Sequence, residues 1–328
     1  MNIWIIDKIL LKKCLYAVIF TYWIFVGIIL SIFDSSLKNN YVYVLGVNSL
    51  FFAQIVTYHK LMKKEKALFL SISGITIDRH SLFSILSNFG IHLNRWYSIV
   101  ASVSIGFIYI VSLILLKVLM WNQIITLYGS ITLIFTVFTA IKLYLKYIFY
   151  ILALRKIAKL EFATFTPISL YNPSETTWIV KFTDMMSSFS KYFGVLGIAY
   201  TLLFYFTTPL SAISFSNNQL TINTPNNIAF LITWGVIVIL IGFGYILFDY
   251  QWKNYIKNII KKIKRQRLLE YENIPNRQSK LNKDYLELFN LYKDTPNFPE
   301  LFNGQNINPI GYIPIIINLY NVIISLLS

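Results

Sequence analysis

Long stretches without a charge recur along this chain, and their length is the first thing that needs explaining. Cys14 to Phe33 reads CLYAVIFTYWIFVGIILSIF. Crossing an apolar slab of ~30 Å takes about 20 helical residues at about 1.5 Å each. The pattern predicts six such spans: about Leu15 to Phe33, Tyr41 to Tyr58, Trp96 to Met120, a fourth from about Ile124, then Tyr192 to Thr208 and Ile228 to Phe248. A large soluble core would instead break its apolar runs with polar helix faces. Lipid is the solvent that these stretches imply.

The intervening segments give the spans an orientation. A short polar loop, Asp34 to Asn40, joins the first two into a hairpin. The segment His59 to Arg95 opens with Lys60, Lys63, Lys64 and Lys66 and reads as a cytoplasmic loop. The fourth helix has no stop before about Leu160, so at roughly 55 Å it must project from the bilayer. Lys142, Lys146, Arg155, Lys156 and Lys159 mark its projecting end as cytoplasmic. Asn172-Pro173-Ser174-Glu175 reads as the start of a helix that continues into the fifth span, with Asn172 as N-cap and proline in the first turn. Ser214 to Asn227 is rich in asparagine and uncharged, which predicts an extracytoplasmic loop.

Past Tyr250 the pattern changes. Trp252, Ile256, Ile259 and Ile263 recur at helical spacing among lysines and arginines, the mark of a basic amphipathic helix leaving the bilayer. Pro275 interrupts it, and a second helical pattern (Leu281, Tyr285, Leu288, Tyr292) ends at Thr295-Pro296-Asn297-Phe298-Pro299. Ile307 to Leu327 is apolar but carries two prolines and three asparagines, which favours a re-entrant or interfacial segment over a seventh span. The expected fold is all-α: a polytopic helical membrane protein of about six transmembrane helices with cytoplasmic amphipathic helices. Residues 1–248 form the transmembrane bundle with two cytoplasmic loops, 59–95 and 143–190, and residues 249–328 form a basic cytoplasmic tail.

Composition agrees, with 56% hydrophobic and 13% charged residues and a mean hydropathy of +0.59, against about 45–50% and about 25% in ordinary soluble domains. The net charge of +15 changes the picture only through its distribution. With the N-terminus inside, Lys38 and Lys117 alone fall on or near the outer side, as the positive-inside rule requires. Nucleic acid is therefore not an expected partner; a plasma membrane location with both the N-terminus and the tail in the cytoplasm is. Lys8, Lys12 and Lys13 precede an apolar run longer than that of a cleavable signal, which reads as a retained signal anchor. The single cysteine, Cys14, excludes an intrachain disulfide.

Three groups of residues are candidates for chemistry. Ser98, Ser102, Tyr109 and Ser112 share one face of the third span, and Thr132, Thr136, Thr139 and Lys146 one face of the fourth. They form either a hydroxyl-lined pore with a lysine at its inner mouth or ordinary interhelical ties. Asn48 and Gln54 in the second span lie about 120° apart, as buried interhelical bonds or the lining of a cavity. Lys253, Lys257, Lys261, Lys262, Lys264, Arg265 and Arg267 are candidate contacts for anionic lipid headgroups, each worth about 1 kcal/mol near such a leaflet. Small residues such as Gly27, Ser102, Gly106, Gly235 and Gly242 would let helices approach.

Signatures of enzymes are missing. His59, His80 and His92 lack the spacing of a helical metal pair, and no phosphate-binding loop, nucleophile elbow or dinucleotide fingerprint occurs. No carboxylate lies mid-span, where a proton-coupled carrier needs one. No cofactor and no catalytic residue is expected. The favoured expectation is a non-enzymatic membrane component whose cytoplasmic helices dock a protein partner or its own copies. A channel or pore-forming effector and a small-solute transporter compete with it.

Overall fold

The structure, a computed structural model, describes residues 41–73, 124–159, 176–207, 246–266 and 293–299. It also describes two short strands and isolated pieces within 21–29, 100–111, 174, 268–269, 287 and 290. Its frame is four helices: α1 (Tyr41–Ser73), α2 (Ile124–Ile157), α3 (Thr177–Thr207) and α4 (246–266). Between α3 and α4 lie strands β1 (Ile213–Ser216) and β2 (Gln219–Ile222). Among the described residues the regular structure apart from this hairpin is helical.

Each long helix outlasts the apolar stretch it contains. α1 continues without a break through residues 59–73, so the first part of the lysine-rich segment is helical. Its buried positions, Tyr58, Leu61, Glu65 and Leu68, fall at spacings of three and four, one of them filled by a carboxylate. α2 begins at Ile124, where the sequence places it, and its 34 residues reach about 51 Å at 1.5 Å per residue. α3 joins the expected cytoplasmic helix to the fifth span in one piece, and its first turn closes with the Val180 amide donating to the Thr176 carbonyl at 3.0 Å. Thr176 thus holds the N-cap position, and threonine suits it. Asn172, Pro173 and Glu175 lie outside the described residues, as do 74–99 and 307–327.

α1 packs against both α2 and α3. α2 and α3 are spaced by rings: Tyr147 lies 5.8 Å from Phe189 and 5.5 Å from Phe193, and Tyr150 lies 5.9 Å from Phe182. α4 closes the group, with Phe248 6.1 Å from Tyr144 and Trp252, Ile256, Ile259, Ile260 and Ile263 all buried in the same core. The amphipathic face read from the sequence therefore packs on protein. Burial follows the charged ends, at 58–68 of α1, 143–157 of α2, 178–189 of α3 and 252–263 of α4. The remaining parts differ. Phe25, Val103, Phe107, Ile108, Phe135 and Val195 are exposed, Ile108 by 65%.

Two further helical pieces, from the first and third predicted spans, touch α2 near its start. The Trp23 indole donates to Thr132 Oγ1 at 2.7 Å, and Gly106 lies on the backbone of Ile134, where an added Cβ would meet the carbonyl oxygen at 3.5 Å. That contact is an ordinary one, so glycine permits the approach there without alanine being barred. Of the other small residues noted above, Gly27, Ser102, Gly235 and Gly242 lie outside the described residues. Among the described residues one stretch, Ile134–Ile157, is long and apolar enough to cross a membrane, and half of it is buried within the protein.

The segment expected to be an uncharged loop contains the hairpin. Its strands pair antiparallel with Ile213↔Ile222, Ser214↔Thr221, Phe215↔Leu220 and Ser216↔Gln219. Apolar pairs alternate with polar ones, the period of a strand. Asn217 and Asn218 separate the strands, and asparagine is a residue that two-residue hairpin connections favour.

Candidate functional site

The core of the bundle holds charges, and three carboxylates tie its helices together. On α1, Glu65 is buried and accepts from Lys146 Nζ of α2 at 2.9 Å, while the Tyr150 hydroxyl donates to its other oxygen. Lys146 also donates to the Met62 sulfur at 2.8 Å. Its ammonium and that of Lys142, one turn earlier, lie 5.4 and 5.6 Å from the Tyr58 ring centroid, within cation–π range. Side-chain exposures of 8% and 11% leave the Lys146–Glu65 pair little water. Breaking such a pair on one side is expensive, because the surviving charge stays buried.

The second carboxylate, Asp249 of α4, is also buried. Ser190 of α3 donates to its Oδ1 at 2.5 Å, the Trp252 indole donates to the same oxygen at 3.1 Å, and Lys253 Nζ reaches Oδ2 at 2.7 Å. Since the single Ser190 proton goes to Asp249, the Tyr147 hydroxyl 3.2 Å away must donate to the Ser190 oxygen. One carboxylate thus joins α2, α3 and α4. The third, Asp184 of α3, takes Lys64 of α1 at 2.8 Å, with Ser188 2.6 Å from the same ammonium. This last tie is partly open to solvent, at 35% and 41% side-chain exposure.

The hydroxyl stripe of the fourth predicted span is found on α2, and two of its hydroxyls donate within the helix. Thr136 donates to the Thr132 carbonyl and Thr139 to the Phe135 carbonyl, both at 2.8 Å, while Thr132 accepts from Trp23. Lys146, read as the lysine of an inner mouth, is the partner of Glu65. Ser98, Ser102, Tyr109 and Ser112 lie outside the described residues. Asn48 and Gln54 are both buried, and the Gln54 Oε1 atom meets no donor among the described residues.

The basic positions of α4 divide into two sets. Lys257, Lys261 and Arg265 are exposed; Arg267 lies outside the described residues. Lys253 is bound to Asp249. Lys264 donates to the carbonyls of Lys293 and Thr295 at 2.6 and 2.8 Å, closing the end of a helical turn as basic side chains do at C-termini. Partial burial there holds its ammonium below the usual lysine range, against the opposing pull of Asp294. The segment it anchors puts Phe298 6.2 Å from Trp252.

Sequence reasoning found Lys146 but not its partner Glu65, which sits 81 residues away in the chain. It missed Tyr147, Ser190 and Asp249 as a set for the same reason. The local signal existed: Glu65 occupies a core position in the spacing Tyr58, Leu61, Glu65, Leu68, and a lone acid on an apolar stripe implies a buried cation. The charged ends of four predicted spans converge in the structure. Lys142 lies over Tyr58, and Tyr144 meets both Phe193 and Phe248, at 5.7 and 6.1 Å. Among the described residues no group of three or more His, Cys, Asp or Glu could hold a metal ion. The fold and the ties define a class, a helical protein with a charge-stitched four-helix core and a helix able to span a membrane. No known protein family matches the sequence, and neither a curated protein nor a solved structure is similar to it.

Proposed function

We propose that this chain is a non-enzymatic, polytopic component of the plasma membrane whose helices leave the bilayer on the cytoplasmic side and assemble there into a basic four-helix bundle. The bundle docks a protein partner or a second copy. One observation carries the reading: Tyr58, Lys142, Tyr192 and Phe248, each a point where the sequence turns from apolar to charged, fall at or beside a single layer of contacts between Tyr58, Lys142, Tyr144, Phe193 and Phe248. On one side of that layer exposed apolar residues dominate. On the other, exposed cations occur on every helix, as at Lys63, Arg155, Lys181 and Lys261, while Glu65 and Asp249 are turned inward. Such a surface suits an acidic protein face.

The bound protons of Thr136 and Thr139 favour this docking role over a pore or a solute carrier, because a water-lined path needs hydroxyls free to solvate what passes. The test is labelling from each side of the membrane. In a Cys14→Ser background, Lys63→Cys and Lys261→Cys should react with an impermeant maleimide only in inverted vesicles, and Ser216→Cys only in intact cells. Labelling of Lys63→Cys in intact cells would reverse the topology, and release of the chain by alkaline carbonate would remove the membrane altogether.

A further inference from the structure

We infer that α4 belongs to a self-complementary face that binds a second copy of this chain, the basic row Lys257, Lys261 and Arg265 of each copy meeting the acidic row Glu287 and Asp294 of the other. The inference rests on the docking role proposed above and commits it to one occupant.

Helical spacing makes the basic row. Its members recur every four residues, so each lies about 6 Å further along α4 and about 40° further round it than the one before. All three are exposed, and no side chain of the three makes an ion pair or a hydrogen bond among the described residues. The row runs on at the same spacing into Leu269, which is 46% exposed, and Tyr250, 60% exposed, shares its face at the membrane end. Trp252, Ile256, Ile259 and Ile263 occupy the opposite side of the helix and are buried. The charged row is therefore an unpartnered face with apolar residues at both ends.

The acidic row lies on the segment that returns to α4. Glu287, Asn290 and Asp294 are helical and exposed. Seven residues of helix bring Asp294 back to within about 20° of Glu287, so the two carboxylates share one face. Neither makes an ion pair among the described residues. Lys264, the α4 cation that reaches this segment, gives its protons to the carbonyls of Lys293 and Thr295 instead.

Position favours a second copy over an unrelated acidic protein. Lys264 lies about 60° round α4 from Lys261, so its two bonds hold Asp294 on the flank of the basic row, at the height of Lys261 and Arg265. A two-fold axis requires opposite charges side by side on one surface, because rotation exchanges left with right and brings each row onto its opposite. With that axis along the membrane normal, heights are kept, and Asp294 returns at the level of Lys261 and Arg265 of the second copy. Exposed pairs are weak singly. Two copies held in one membrane with one orientation have already lost much of the freedom that association costs.

The test uses the full chain carrying Cys14→Ser and Ser216→Cys, labelled with donor and acceptor dyes in phosphatidylcholine liposomes at falling protein-to-lipid ratio. Energy transfer should report a dimer of this parent. Reversing the basic row (Lys257→Glu, Lys261→Glu, Arg265→Glu) or the acidic row (Glu287→Lys, Asp294→Lys) should each weaken association roughly thirtyfold, since four exposed pairs are lost at on the order of two- to threefold apiece. Both reversals in one chain should restore it, because every pair re-forms with its signs exchanged. The control Lys63→Glu with Lys66→Glu, exposed cations of α1, should leave transfer unchanged. A monomeric parent, a control that falls as far as the rows, or a doubly reversed chain that stays monomeric overturns the inference. So does a loss on reversing the basic row alone, which would make an outside acidic protein the occupant. Transfer that appears only after phosphatidylglycerol is added would assign the row to lipid and overturn it too. The labelling from each side of the membrane separates the two ideas, because a chain with the expected sidedness and no dimer defeats only the second copy.

Discussion

The two halves of α2 are both rich in apolar residues and have opposite surroundings. From Ile131 to Thr139 its threonines are buried while Ile131 and Phe135 are exposed. From Leu143 to Ile157 the stripe Leu143, Tyr147, Tyr150, Leu154 and Ile157 is buried, and the exposed positions are Leu152, Arg155 and Lys156. A single helix thus inverts its rule within a few turns. In water, apolar groups are removed from the solvent; in hydrocarbon, nothing drives them inward, and polar groups are the ones that must find partners. The inversion at Lys142 is what a change of solvent along the helix would produce.

The sharpest way to break the comparison is to attack the charge stitching of the inner half. Glu65→Leu should destabilise the protein by about 3–5 kcal/mol, because Lys146 stays buried beside Tyr58 without its carboxylate. Lys146→Met in the same chain should restore most of that loss, since removing both charges removes the desolvation cost with them. Denaturation in detergent of the two single variants and the double variant gives the coupling directly. A double variant no better than Glu65→Leu would show that the pair is not acting as a unit.

A somewhat smaller effect should distinguish the solvents themselves. Ile108 is 65% exposed on the outer half, so on a water-facing surface Ile108→Lys would change stability by no more than about 0.5 kcal/mol. Facing lipid, the same substitution carries about 2.5–3.5 kcal/mol of insertion cost. Leu70, 63% exposed at the far end of α1, is the internal control: Leu70→Lys should be neutral. The measurement is the fraction of each variant inserted and resistant to carbonate. Equal behaviour of the two variants would mean that both ends see the same solvent.

How much was legible follows from which interactions are local. The start of α2 at Ile124 and the buried face Trp252, Ile256, Ile259 and Ile263 could be read directly, because helical spacing is a property of neighbours in sequence. The points near Tyr58, Tyr192 and Phe248 were legible through charge. The bundle was not. Its core positions lie in segments whose lysines look like loop material, and the stripe Leu143, Tyr147, Tyr150, Leu154, Ile157 was masked by an apolar run that already had an explanation. The ties among Glu65, Lys146, Ser190 and Asp249 join residues 59 to 81 positions apart, which no local pattern contains. The hairpin was hidden because alternation of one apolar with one polar residue over four positions is too short to separate from an uncharged loop.

The smallest expected effect lies at the one tie that water reaches. Lys64 and Asp184 meet at 2.8 Å, as closely as the buried pair, yet both are more than a third exposed. Exposure weakens the attraction through the high dielectric of water and lets salt screen it. Asp184→Asn should therefore cost only about 0.2–1 kcal/mol, with Ser188 still able to accept from Lys64. Raising the salt concentration should shrink that difference while leaving the Glu65→Leu loss nearly unchanged, because buried charges are screened far less. Paired melts at low and high salt check this. If the two carboxylates responded alike, distance rather than surroundings would govern these ties, and the contrast between the halves of α2 would lose its physical basis.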